Sequence, residues 1–237
     1  MPNDIMARVT RQMARWRTGF DTALVCSLAL VAVLTGVFLA LADEVMEGDT
    51  HAFDQGILLA FRTPGHPEQP LGPLWFQEMA RDVTSLGSFA VLGIIFIGTV
   101  GYLLLARRRW AAIVTGISVL GGTVISQVLK SGYDRPRPDL AATAHVFTAS
   151  FPSGHAMLSS VTYLTLGALL ASTAQTRATR IFAIAFATAL TLLVGLSRLY
   201  LGVHYATDVL AGWCLGSAWA AFCLAITSWL RRVRRPA

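Results

Sequence analysis

The sequence predicts an all-α fold, a polytopic membrane bundle with six transmembrane helices, and three observations lead there. Of the 237 residues, 54% are hydrophobic and only 14% charged, far from the mix of a soluble globular domain. Several stretches of roughly 20 residues carry no charged side chain, which is the length a helix needs to cross the hydrocarbon core. Between those stretches, the basic residues fall in short clusters that alternate from dense to sparse along the chain.

Taken in order, the expected spans are Thr22 to Leu41, Leu86 to Ala106, Ala111 to Leu129, Ala156 to Ala174, Ile181 to Leu196 and Val209 to Leu230. The first is preceded by Arg8, Arg11, Arg15 and Arg17 and runs toward Ala40-Leu41-Ala42, so it has the look of a signal peptide. Its apolar run is too long for such a segment, and an uncleaved first helix is the expectation. The segment from Asp43 to Ser85 is acidic and interrupted by Pro64, Pro67, Pro70 and Pro73, the mark of an outer loop that breaks regular structure. Within it, Trp75, Phe76 and Met79 beside Glu78 and Arg81 fit either a helix lying in the membrane interface or a solvated loop.

Spans four and five are diluted by Ser159, Ser160, Thr162, Thr165, Thr188 and Thr191, which points to close helix packing rather than lipid exposure. Gly212 and Gly216, at small-xxx-small spacing, suggest the same for span six. Cys26, Cys214 and Cys223 lie in apolar stretches at no metal-ligand spacing, so packing is their expected role.

Thirteen of the 19 basic residues fall on one side of these spans, including Arg107 to Arg109, Arg177, Arg180, Arg231, Arg232, Arg234 and Arg235. By the positive-inside rule that side is the cytoplasm, and both termini lie there. The net charge of +6 therefore reflects topology, and no nucleic-acid partner is expected. Arg62, Arg81, Lys130, Arg135, Arg137 and Arg198 remain on the outer side, where cations are normally depleted.

Three outer segments meet at helix ends at one membrane level and carry four of those cations: Lys130 to Pro138, Pro152-Ser153-Gly154-His155, and Ser197-Arg198 through His204 to Asp208. Lys130, Arg137 and Arg198 offer cationic donors, and the arginine fork suits phosphate oxygens. Ser153 and Gly154 precede a helix whose free N-H groups make an anion site, and glycine permits close backbone approach. His204 and Asp208, four residues apart, share a face if the start of span six is helical. The carboxylate would then fix the imidazole tautomer and leave the other nitrogen free to attack. His155 arrives from another segment and is suited to protonate a leaving oxygen and then activate water. Arg135, His145, Tyr133 and Tyr200 lie close by and are read as structural.

The pattern K-x6-R-P, P-S-G-H and S-R-x5-H-x3-D resembles the three-part signature of the type 2 phosphatidic acid phosphatase superfamily of membrane lipid phosphatases. It extends from Lys130 to Asp208, with every signature position filled. The resemblance implies one transmembrane phosphatase domain over residues 1–237 and an outer loop over 43–85. It implies His204 as a nucleophile that forms a phosphohistidine, Asp208 as its orienting acid and His155 as general acid. Lys130, Arg137, Ser153, Gly154 and Arg198 would bind the phosphoryl oxygens, with no metal and no cofactor.

The expected activity is hydrolysis of a lipid phosphate or diphosphate. Undecaprenyl diphosphate ranks first, ahead of phosphatidylglycerol phosphate, phosphatidate and lipid A phosphates. Selectivity is expected in the segment from Asp43 to Ser85 and on lipid-facing helix surfaces. A phosphotransferase using the same site and an anion transporter are the alternatives; the soluble vanadium haloperoxidases of the same superfamily are excluded by the apolar spans. The expected setting is a bacterial inner membrane, with the site on the periplasmic face. The sequence carries no signal of oligomeric state.

Overall fold

A computed structural model of the chain describes residues 2–138 and 149–233. His145, Arg234 and Arg235 lie outside the described residues. The chain runs through α1 (Pro2–Glu47), α2 (His51–Ala60), β1 (Arg62–Thr63), β2 (His66–Pro70), α3 (Leu74–Ser85), α4 (Phe89–Leu105), α5 (Arg109–Tyr133), α6 (Gly154–Thr173), α7 (Arg177–Tyr200) and α8 (Ala206–Val233). It is a multi-pass helical membrane bundle.

Among the described residues, five helical segments are long and apolar enough to cross a membrane: Leu24–Glu47, α5, α6, α7 and Ala206–Leu230 of α8. The expected second span is the exception. Its helix covers only 17 residues, Phe89–Leu105, and joins α3 through a bend of 45°, so the two helices make a sixth candidate span only when counted together as one bent segment. Ser88 explains the break, because its side chain accepts from the Val91 N-H at 3.3 Å and restarts the helix. The other spans extend beyond the hydropathy limits, since polar and basic residues at the helix ends continue the backbone ladder.

The segment expected to be irregular is mostly ordered. It holds α2, a two-stranded antiparallel hairpin that pairs Thr63 with His66 and Arg62 with Pro70, and α3. Gly65 supplies the positive φ of +81° that the hairpin turn requires. Helix α3 decides between the two readings of Trp75 in favour of a helix, with Leu74 and Trp75 exposed and Phe76 packed edge-on against Tyr200 of α7.

At the centre of the bundle stands α6, packed against α5, α7 and α8. Two of its buried hydroxyls are bonded: Thr165 meets Ser118 of α5 at 2.8 Å, and Ser160 donates to the Ala156 carbonyl at 2.7 Å. The glycines of α8 let that packing form. A Cβ at Gly212 would lie 2.7 Å from the Ser153 carbonyl oxygen, and one at Gly216 2.8 Å from the Ser160 Cβ. Two indoles then pin α8 to its neighbours, Trp213 donating to the Thr191 carbonyl at 3.1 Å and Trp219 to that of Ser118 at 2.8 Å. Helix α1 lies outside, its Phe38, Ala42 and Val45 meeting Ala211 of α8 and Phe151.

Candidate active site

The three sequence segments converge at one end of the bundle. Lys130 sits in the last turn of α5, and Arg135 and Arg137 follow in extended chain. Ser153 caps α6, which Gly154 and His155 begin. Arg198 lies in the last turn of α7, and His204 occupies the turn between α7 and α8, with Asp208 in the first turn of α8. Arg109 and the α6–α7 junction lie at the other end, about 35 Å away along α5.

His204 is only 1% exposed and Asp208 fully buried. Nδ1 of His204 lies 3.4 Å from Oδ2 of Asp208, a long hydrogen bond of the kind that tightens when substrate binds. Since the carboxylate is an acceptor, Nδ1 carries the proton and the lone pair is left on Nε2. Arg137 Nη1 faces that lone pair at 3.2 Å and donates to the Val203 carbonyl at 2.9 Å. Burial, aided by the charges of Arg198 and Arg137, pushes the His204 pKa down from 6.5 to about 4; Asp208 opposes that shift without reversing it. The imidazole is neutral at physiological pH.

The turn carrying His204 is tightly constrained. Gly202 has a φ of +69°, and Arg62 from the hairpin fills the space where a side chain would project. Arg62 Nη1 donates to the Tyr200 carbonyl at 2.8 Å. The hairpin thus braces the end of α7 just before the histidine.

Lys130 and Arg198 stand near Arg137, the cation that faces Nε2, and complete a cradle of three charges. Lys130 approaches the start of α6 so closely that a Cβ at Gly154 would lie 3.3 Å from its Cε, and its ammonium faces the Ala149 carbonyl at 3.5 Å. Arg198 donates to the Thr84 hydroxyl at 3.1 Å, while its Nε is buried with no protein partner among the described residues. Lys130, Arg137 and Arg198 are near enough to feel one another's charge. Three cations held together against their repulsion favour an anion between them. Burial lowers the Arg137 pKa from its ordinary value and Asp208 counters it, yet a guanidinium stays charged.

Ser153 is buried at the start of α6. Its hydroxyl accepts from the Ala156 N-H at 3.5 Å as a helix cap, and its own N-H donates to the Asp208 carbonyl at 2.9 Å. His155, half-buried, lies within electrostatic reach of Arg198, His204, Lys130 and Arg137. Gly87 in the α3–α4 bend makes room for it, since a Cβ there would come within 3.3 Å of His155 Cδ2. All eight sequence-predicted residues therefore gather at one end of the bundle.

Sequence reasoning missed four contributors. Arg135, read as structural, donates to Asp208 Oδ1 at 2.6 Å and to Asp54 Oδ2 at 2.8 Å, and lies over the Tyr205 ring. Ser150 donates a short hydrogen bond to Asp208 Oδ2, which also accepts from the Tyr205 N-H at 2.9 Å. Asp54 and Thr84 come from the outer segment. One signal was present: Asp54 is the lone carboxylate of a mostly apolar helix, and a buried acid requires a cation. Tyr133 packs on Phe151, and Tyr200 donates to the Leu71 carbonyl at 2.7 Å.

Comparison with known proteins agrees with this arrangement. The sequence pattern of the PAP2 superfamily matches residues 110–232. Phosphatidylglycerophosphatase B of Bacillus subtilis is 32% identical over 184 residues, covering 76% of this chain and 85% of the relative. Decaprenylphosphoryl-5-phosphoribose phosphatase of Mycobacterium tuberculosis is 31% identical over 160 residues, 66% of this chain and 83% of the relative. Among solved structures, a transmembrane PAP2 type phosphatidylglycerolphosphate phosphatase from Bacillus subtilis superposes with a TM-score of 0.76 at 25% identity, covering 87% of this chain and 98% of that one. LpxE of Aquifex aeolicus shares the fold, with a TM-score of 0.52 at 23% identity over 65% of this chain and 88% of that one.

Proposed function

The chain belongs to the PAP2 superfamily, whose members among its relatives are phosphatases of lipid phosphates, and from that premise we propose that it hydrolyses a membrane lipid phosphate through a phosphohistidine at His204. The observation that supports this most directly is the two-sided hold on the imidazole. Asp208 takes Nδ1, and Nε2 is left as a lone pair facing the cation cradle.

The reaction runs in two steps. A phosphoryl group enters among Lys130, Arg137 and Arg198 and draws the Arg137 fork off Nε2. That nitrogen attacks phosphorus, the bond from phosphorus to the lipid oxygen breaks, and protonated His155 gives that oxygen its proton. Water then gives a proton to His155 and attacks phosphorus, the P–N bond breaks, and inorganic phosphate leaves. The cations offset the charge that builds on the phosphoryl oxygens in both steps, so no metal is required.

The substrate we favour is a phosphate monoester on a glycerolipid, phosphatidylglycerol phosphate ahead of undecaprenyl diphosphate, because the relative from Bacillus subtilis is named a phosphatidylglycerophosphatase. The basic clusters at the end opposite His204 support a site on the outer face of a bacterial inner membrane. Phosphate release from purified protein, with a lipid panel and with EDTA present, tests the reading. His204→Ala should abolish release while the protein elutes and melts like wild type. Near wild-type activity in that variant would refute the mechanism, and phosphate appearing on an added acceptor lipid would turn the enzyme into a transferase.

A further inference from the structure

The outer helix α2 carries one carboxylate, Asp54, that is fully buried and that the chemistry above does not use. Its Oδ1 accepts from the Thr207 N-H at 3.0 Å. Its Oδ2 accepts from the Thr207 hydroxyl at 2.6 Å and from Arg135 Nη2 at 2.8 Å. Arg135 uses its other end, Nη1, on Oδ1 of Asp208 at 2.6 Å.

The guanidinium is planar, so the direction of one fork end fixes that of the other. Asp54 therefore aims the cation that holds the outer oxygen of Asp208. It also holds the backbone N-H of Thr207, the residue just before Asp208. Two restraints, one on the cation and one on the main chain, act on the same carboxylate from a residue 153 positions before Thr207 in sequence. A buried acid and a buried Arg that merely neutralised each other would not need Thr207, and a plain helix anchor would not need the Arg fork to end on Asp208.

We propose that Asp54 is a positioning residue for the phosphoryl-transfer reaction: by holding Arg135 and Thr207 it fixes the Asp208 carboxylate against Nδ1 of His204. The inference rests on His204 being the nucleophile proposed above. Asp54 touches no reacting atom and acts through Asp208 alone, so its contribution belongs to kcat and vanishes once the Asp208 carboxylate is gone.

The test measures kcat and KM with phosphatidylglycerol phosphate in detergent for Asp54→Asn, Asp208→Asn, the double variant and His204→Ala. Asp54→Asn should lower kcat by about 10- to 100-fold, the loss typical of a group that orients another ligand or base, with KM unchanged within about threefold. In the Asp208→Asn background the same change should alter kcat by less than about twofold. Equal losses in both backgrounds, or a kcat for Asp54→Asn within about twofold of wild type, would overturn the proposal. Should Asp54→Asn aggregate, Arg135→Lys, which keeps the charge but loses the fork, is judged by the same criteria. Activity surviving in His204→Ala overturns the nucleophile and this inference together; a dead His204→Ala with an unaffected Asp54→Asn overturns this inference alone.

Discussion

Gly154 and Lys130 are in contact across the α5–α6 interface: a Cβ built on the glycine would lie 3.3 Å from the lysine Cε and 3.5 Å from its Nζ. The neighbour that must yield is the far end of a flexible side chain, so Gly154→Ala displaces the ammonium at little structural cost. The expected result is a fall in kcat/KM of about tenfold or more, with an unchanged melting temperature. Assays of phosphate release beside thermal unfolding in detergent check it. A parallel loss of melting temperature would mean that the glycine serves packing and not the cradle.

The burial of His204 makes a prediction about protons. Its pKa falls from 6.5 to about 4, so the unfolded chain takes up a proton at a higher pH than the folded one. Stability from this residue is complete above 6.5 and is lost as pH falls from there toward 4. Ring NMR of labelled protein should show one histidine, missing in His204→Gln, that is still neutral at pH 5. Between pH 6.5 and 4, wild type should lose more stability than His204→Gln does. A His204 ring that titrates near 6.5 would contradict the buried geometry.

Helix α8 tolerates no added bulk where it crosses α6. A Cβ at Gly216 would lie 2.8 Å from the Ser160 Cβ and collide with the Met157 carbonyl, and backbone cannot move aside as a lysine tip can. Gly216→Ala should therefore destabilise by about 1–3 kcal/mol despite the better helix propensity of alanine. Gly93→Ala on α4, where a Cβ meets nothing within 4 Å, is the control and should be neutral or slightly stabilising. Unfolding midpoints in detergent distinguish the two.

The spans and the cradle were legible in the sequence for different reasons. Uncharged runs identify helices because the bilayer core leaves the backbone no other way to satisfy its polar groups. Lys130, Arg137, His155, Arg198, His204 and Asp208 were legible because each sits at a helix end on a side where cations are otherwise scarce. The role of Arg135 was not, because it depends on Asp54, 81 positions earlier, and no spacing rule links the two. Helix α2 was missed because it is too short for a span and too apolar for a loop. The hairpin was missed because its prolines, tolerated in a two-stranded edge pair, read as breakers. The expected second span begins at Leu86, ahead of the cap at Ser88, because hydropathy is blind to a capping serine.

Helix α6 has the lowest hydropathy of the segments able to span a membrane alone, and half of it is enclosed by its neighbours. Its Thr165 hydroxyl gains a partner outside the helix only once Ser118 of α5 stands beside it. A segment with so little preference for lipid has the weakest drive to leave the insertion machinery by itself. Biogenesis must therefore deliver α6 to the bilayer together with a partner helix, so that the centre of the enzyme is assembled during insertion and not after it.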